Sequence, residues 1–144
     1  MAATVLQTLA LCATLAVVHD AAAAEKIGAA DRRAIEQTLR RQLDAFLHDD
    51  ADRAFAYATP DIRRMFGSSD SFMEMVRDRY EPVYRASSVA FIGIESVDGQ
   101  WVQTVRIVDG EGRVWRTLFT MKRQPDKSWK VGGCQLVQTS AITT

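Results

Sequence analysis

Apolar residues recur at helical spacing through the first half of the chain and switch to a two-residue rhythm near residue 88. Ile35, Leu39, Leu43, Phe46 and Leu47 sit at offsets that mark one face of a helix. Asp31 is its expected N-cap, because a carboxylate there accepts from backbone N–H groups left unpaired in the first turn. Glu36 and Arg40, four apart with the acid first, suit the exposed side. The run Asp49-Asp50-Ala51-Asp52 breaks this helix and starts a second one carrying Ala54, Phe55 and Ala58. Pro60 is expected to end that one, since proline disfavours helical geometry at the preceding Thr59. It also suits the first turn of a short helix through Ile62, Met65 and Phe66, stopped by Gly67. A fourth helix, capped by Ser69 or Asp70, turns Phe72, Met73, Met75 and Val76 inward and closes at Glu81-Pro82.

Beyond Arg85 four strands are expected. From Ser88 to Ile94 both alternating phases are apolar, which reads as a strand covered on both faces. Asp98-Gly99 is a hairpin signal leading into Gln100 to Val108. A turn at Asp109-Gly110-Glu111-Gly112 introduces Val114 to Arg123, with Trp115, Thr117, Phe119 and Met121 on one face. Pro125-Asp126-Lys127 turns the chain into a last strand, Ser128 to Val137. There Trp129 and Val131 occupy one phase and Cys134 and Leu136 the other. One extra residue bulged at Gly132-Gly133 returns both pairs to the same face. Helices first and antiparallel strands afterwards define an α+β fold, with N-terminal helices packed on a curved sheet of about four strands.

The head of the chain has a different pattern. Val5 to Val18 is apolar and uncharged, and after His19-Asp20 come four alanines, Ala21 to Ala24. This is the arrangement of a cleavable secretory signal, and the run is shorter than the roughly 20 residues of a membrane-spanning helix. Residues 1–24 are therefore expected to be a signal peptide and 25–144 a single domain, secreted and located in the bacterial periplasm, without membrane attachment after cleavage. The chain of 144 residues has a formal net charge of 0, and removal of Asp20 with the signal moves it to +1. Such a balance has no basic footprint for nucleic acid. Two cysteines rule out a disulfide-dense scaffold and a four-cysteine zinc site, and loss of Cys12 with the signal leaves Cys134 alone. With no asparagine anywhere, a Cys-His-Asn catalytic set is impossible.

An ordered set of short motifs resembles a known family. It comprises Gln42-Leu43-Asp44-Ala45-Phe46, Asp49-Asp50, Ala54-Phe55, Pro60, Phe66-Gly67, and Phe72 through Val76. Tyr80-Glu81-Pro82-Val83-Tyr84-Arg85, Met121 through Asp126, Ser128-Trp129 and Gly133-Cys134 follow. Over residues 32–137 the chain resembles the bacterial family called domain of unknown function 4864. One departure is Lys127, where glycine is expected in the turn before Ser128-Trp129. The resemblance implies the cone-shaped fold named after nuclear transport factor two, also called cystatin-like, in which a curved sheet wraps around helices and leaves a pocket at its open end. It implies no chemistry, because fold and function are separable.

Candidate chemistry is sparse. His48-Asp49-Asp50-Ala51-Asp52 has the composition of a metal loop, but Arg53 and Ala54 follow where a calcium loop needs another oxygen ligand and a glycine. No metal or other cofactor is expected. No Gly-x-Ser-x-Gly elbow accompanies His48, the one histidine beyond the signal. Isomerase or dehydratase chemistry needs a shielded carboxylate and a hydrogen-bond donor, types that Asp44 with Tyr57, Tyr80 or Tyr84 supplies. Trp101, Trp115 and Trp129 on successive strands, with Phe119 and with Arg85 as a carboxylate partner, are the candidate pocket. Core packing is the competing role for the tryptophans, and a buried inert thiol the expected state of Cys134.

Three functions follow as expectations. The first is a non-catalytic module binding a small apolar ligand or a protein. The second is an enzyme using an Asp-Tyr pair, and the third a homodimer formed through the sheet.

Overall fold

The computed structural model describes residues 26–139; the expected signal segment, 1–24, lies outside them. Helix α1 spans Ala29–Leu47, α2 Ala51–Ala56, α3 Pro60–Phe66, α4 Ser69–Arg79 and α5 Glu81–Tyr84. Strands β1 (Ser88–Val97), β2 (Gln100–Val108), β3 (Val114–Arg123) and β4 (Trp129–Gln138) form one antiparallel sheet in sequence order. The α+β arrangement expected from the hydrophobic pattern is therefore present.

The helix ends carry local reasons for their positions. Gly28, not Asp31, is the N-cap of α1. Asp31 lies inside the first turn, where its carboxylate instead accepts from Trp129 Nε1 at 3.1 Å and ties α1 to β4. Asp50 caps α2 by accepting from Arg53 N at 3.1 Å. That helix already ends at Ala56, because Tyr57 to Thr59 leave it to meet β4. Thr59 N donates to the Val131 carbonyl at 3.0 Å, and Val131 N donates to the Tyr57 carbonyl at 2.8 Å. The exit removes the need for Pro60 as a stop; Pro60 acts only as the start of α3. Gly67, at φ 76°, ends α3 in a left-handed conformation that costs glycine nothing. Ser68 rather than Ser69 or Asp70 caps α4, accepting from Ser71 N at 3.2 Å. The extra turn α5 escapes the periodicity argument because four residues are too few to show a period.

In the sheet, Asp98 and Gly99 both have positive φ, as the tight β1–β2 hairpin requires. The expected bulge in β4 is present: Thr120 pairs with Gly133 and Met121 with Val131, leaving Gly132 as the additional residue. Val131, Cys134 and Leu136 then stand opposite Met121, Phe119 and Thr117, all on the face toward the helices. Lys127 occupies its turn at φ 69°, a conformation that favours glycine.

The first strand departs from expectation. β1 is an edge strand with no fully buried residue, and Ile92, bulged out between Phe91 and Gly93, is 63% exposed. Its two apolar phases do not reflect two covered faces. The bulge changes which phase faces inward, so Val89 and Phe91 before it and Ile94 after it all pack on the core.

The core lies between the helices and one sheet face. Ile35, Leu39, Leu43 and Phe46 of α1, with Phe72, Met73 and Val76 of α4, meet Val105, Ile107, Phe119, Met121 and Val131. Leu47, which falls on the same predicted stripe, is instead exposed at the helix end.

Candidate functional site

The helix layer does not fill the space above β3 and β4 completely. A cavity of about 290 Å³ remains, close to the lower end of the roughly 300–1,000 Å³ usual for small-molecule sites. Helix α1 contributes Gln42 and Phe46, and α3 contributes Ile62, Met65 and Phe66. Phe72, Met75 and Val76 come from α4, followed by Tyr80 and by Val83 of α5. Phe119, Val131, Gly133 and Cys134 form the sheet wall. The local sequence explains the gap. The α2–α3 connection is held against β4 by the backbone bonds at Val131, and α3 is only two turns long. Its residues rim the cavity without entering the core, and none is fully buried.

Among the described residues, none that lines the cavity is charged. Its aromatic side is a cluster centred on Phe72, whose ring lies 5.5–6.2 Å from those of Phe46, Phe55 and Phe66. Met65 stands at the edge, 72% exposed. Tyr80 donates its hydroxyl proton to the Cys134 carbonyl at 3.3 Å, fastening the end of α4 to β4. Burial pushes the Cys134 thiol up to about 12, so at neutral pH it is a protonated wall atom and not a nucleophile.

The residues singled out from sequence fall in several places. Phe119 and Tyr80 line the cavity. Asp44 lies on the outer side of α1, paired with Arg53 at 2.8 Å and with His48 at 3.4 Å. The Arg53 guanidinium also lies against the Tyr57 hydroxyl, and its pKa is raised, chiefly by the hydrogen bond to Asp44. Asp44 and Tyr57 thus share an arginine at the surface, away from the cavity lining. The Tyr84 hydroxyl donates to Asp49, whose pKa is lowered mainly by that bond. Arg85 donates to the Phe46 carbonyl at 2.6 Å and to Asp49 at 2.8 Å. It does recognise a carboxylate, but one that belongs to the fold and fastens the end of α1. Among the described residues, no carboxylate lines the cavity beside a tyrosine hydroxyl.

Nor do the three tryptophans form one wall. Trp101 and Trp129 border a separate open groove with Lys26, Asp31, Lys122 and Arg123. Trp115 turns its indole N–H to Asp109 at 2.9 Å, at the far end of β3. Among the described residues, no group of three or more His, Cys, Asp or Glu side chains could hold a metal ion, and no helix is long and apolar enough to cross a membrane.

Sequence reasoning missed Gln42, Ile62, Phe66 and Met75 as site residues. For Gln42 the signal was present: Ile35, Leu39, Gln42 and Phe46 follow offsets of 4, 7 and 11, so a polar residue sits on the buried stripe. It is only 2% exposed.

No curated protein and no solved structure matches this chain. The family described as Domain of unknown function (DUF4864) matches residues 28–144, which include every element of the fold and every residue of the cavity, and the chain belongs to that family.

Proposed function

We propose that the chain is an exported periplasmic domain of the cone-shaped, nuclear-transport-factor-two-like class that binds a small apolar ligand without transforming it. The observation that carries the reading is the uncharged, largely aromatic and aliphatic cavity between the helices and β3–β4. An apolar cavity of about 150 Å³ is enough to admit benzene, so one of about 290 Å³ suits a substituted single ring or a compact aliphatic molecule. Absence of catalysis is supported by what surrounds this space. Its thiol is protonated, its tyrosine hydroxyl is engaged with a backbone carbonyl, and Asp44 is neutralised at the surface. The export assignment draws on the apolar run Val5–Val18 and the alanines that follow it. A homodimer through the sheet draws no support from the outer face, where Arg106 stands opposite Arg116 and Lys122 opposite Lys130.

Thermal unfolding with ethylbenzene tests the binding. A ligand that binds only the folded state at one hundred times its Kd adds about 2.7 kcal/mol of stability. The wild type is expected to gain Tm with ethylbenzene. Ile62→Trp, which pushes an indole from the rim into the cavity, is expected to keep its own Tm and lose that gain. Absence of any shift across neutral molecules from benzene to naphthalene would overturn the reading. N-terminal sequencing of protein recovered from the periplasm tests export, with Glu25 the expected first residue.

A further inference from the structure

We infer that the cavity selects an uncharged apolar molecule carrying a hydroxyl group, a phenol or compact alcohol, that donates its proton to Gln42 Oε1. This rests on the binding role proposed above and names the ligand's chemistry. The argument starts from the Gln42 amide, buried in the core yet lining the cavity. Its Nε2 donates to the Ala54 carbonyl at 3.1 Å. That bond settles which way the amide points, because the flipped orientation would set two carbonyl-type oxygens against each other. No hydrogen bond reaches Oε1 from the described residues, and this oxygen is not fully enclosed: the enclosed side-chain atoms without a partner are Gln103 Oε1 and Thr117 Oγ1. Gln42 lines the cavity, and an acceptor with no protein donor there is free to take a proton from whatever enters.

The remaining polar groups of the lining point to the same kind of ligand. The Tyr80 proton is directed at the Cys134 carbonyl, so the oxygen of that hydroxyl is available only as an acceptor. The two lining oxygens with no proton free to offer, Gln42 Oε1 and the Tyr80 hydroxyl, are acceptors, so a ligand group that donates fits them best. A carboxylate cannot donate, and no Lys, Arg or His among the described residues lines the cavity to balance its charge. An ammonium can donate, but no carboxylate among the described residues lines the cavity to neutralise it. A hydroxyl donates to Oε1 without bringing a charge, and it can also accept the second Nε2 hydrogen.

Three probes of nearly equal shape separate the possibilities: ethylbenzene, 4-ethylphenol and 4-ethylbenzoate, titrated calorimetrically at pH 7. The phenol is expected to bind about tenfold more tightly than the hydrocarbon, and the benzoate to show no binding. Gln42→Met, which keeps length and removes the amide, is expected to abolish the phenol's advantage over the hydrocarbon, the two affinities becoming equal within about a factor of two. Equal affinity of phenol and hydrocarbon in the wild type, or benzoate binding as tightly as the phenol, overturns the inference while leaving an apolar-ligand site in place. Failure of all three probes overturns the binding role itself. Should Gln42→Met not fold, the wild-type series still decides between these outcomes.

Discussion

The two ends of β3 show opposite solutions to burying polar groups beneath the helices. At its start, Asp109 lies almost wholly buried in the β2–β3 turn with every nearby donor directed at it. Trp115 Nε1 reaches it at 2.9 Å and Arg113 Nε at 2.7 Å, while the Glu111 and Arg113 amides approach at 2.9 and 3.0 Å. Burial pushes this carboxyl up, but the hydrogen bonds outweigh it and bring the pKa down to about 2. Further along, Phe119 faces an unfilled space that Gln42 also lines, its Nε2 bound to the Ala54 carbonyl and its Oε1 bound by no donor of the described residues. A saturated carboxylate in a packed turn is a structural fastening. An amide with a free acceptor beside unfilled volume is where the proposed ligand would sit.

The largest expected effect comes from breaking the wall between cavity and core. Phe72→Ala removes the centre of the aromatic cluster and should cost about 3–5 kcal/mol in denaturant unfolding. It should also enlarge the cavity and let it accept bulkier hydrocarbons. Next is Asp109→Ala, which strands the Trp115 indole N–H and two backbone amides; calorimetry should show Tm lower by roughly 10 °C. The same fastening has a pH signature. Because the Asp109 pKa is depressed in the folded state, its contribution is present above the unfolded value near 3.8 and is lost as pH falls towards about 2. The Tm difference between wild type and Asp109→Asn should therefore shrink steadily between pH 4 and pH 2. A smaller gain is expected from Lys127→Gly, which relieves a left-handed side-chain position and should stabilise by about 0.5–1 kcal/mol. Smallest of all, Met65→Ser at the exposed cavity edge should change stability by less than about 0.5 kcal/mol, while weakening ethylbenzene binding measurably.

These contrasts also show why some features were readable from the chain and others were not. The β4 bulge was legible because Gly132-Gly133 separates two apolar pairs of opposite phase, and only an inserted residue reconciles them. The caps were less legible. Asp31 has the chemistry of an N-cap, yet the Trp129 indole, 98 residues away, takes its carboxylate. The β1 pattern misled for the same reason, since a bulge and a double-sided strand leave the same apolar string. Tyr84 and Arg85 were chosen for chemistry that the fold uses to hold Asp49 and the end of α1.

The linear pattern by itself determined the order and type of the main elements, the tight turns and, for β3 and β4, the face that meets the helices. Those depend on backbone geometry and on side-chain alternation over a few residues. The tertiary structure alone decided that space remains above Phe119, that Tyr80 and Gln42 border it, and that Asp44 does not. Cavity volume is the small remainder left when α1, α3, α4 and two strands pack together. Each wall comes from a different part of the chain, so no local window of sequence contains the space they leave.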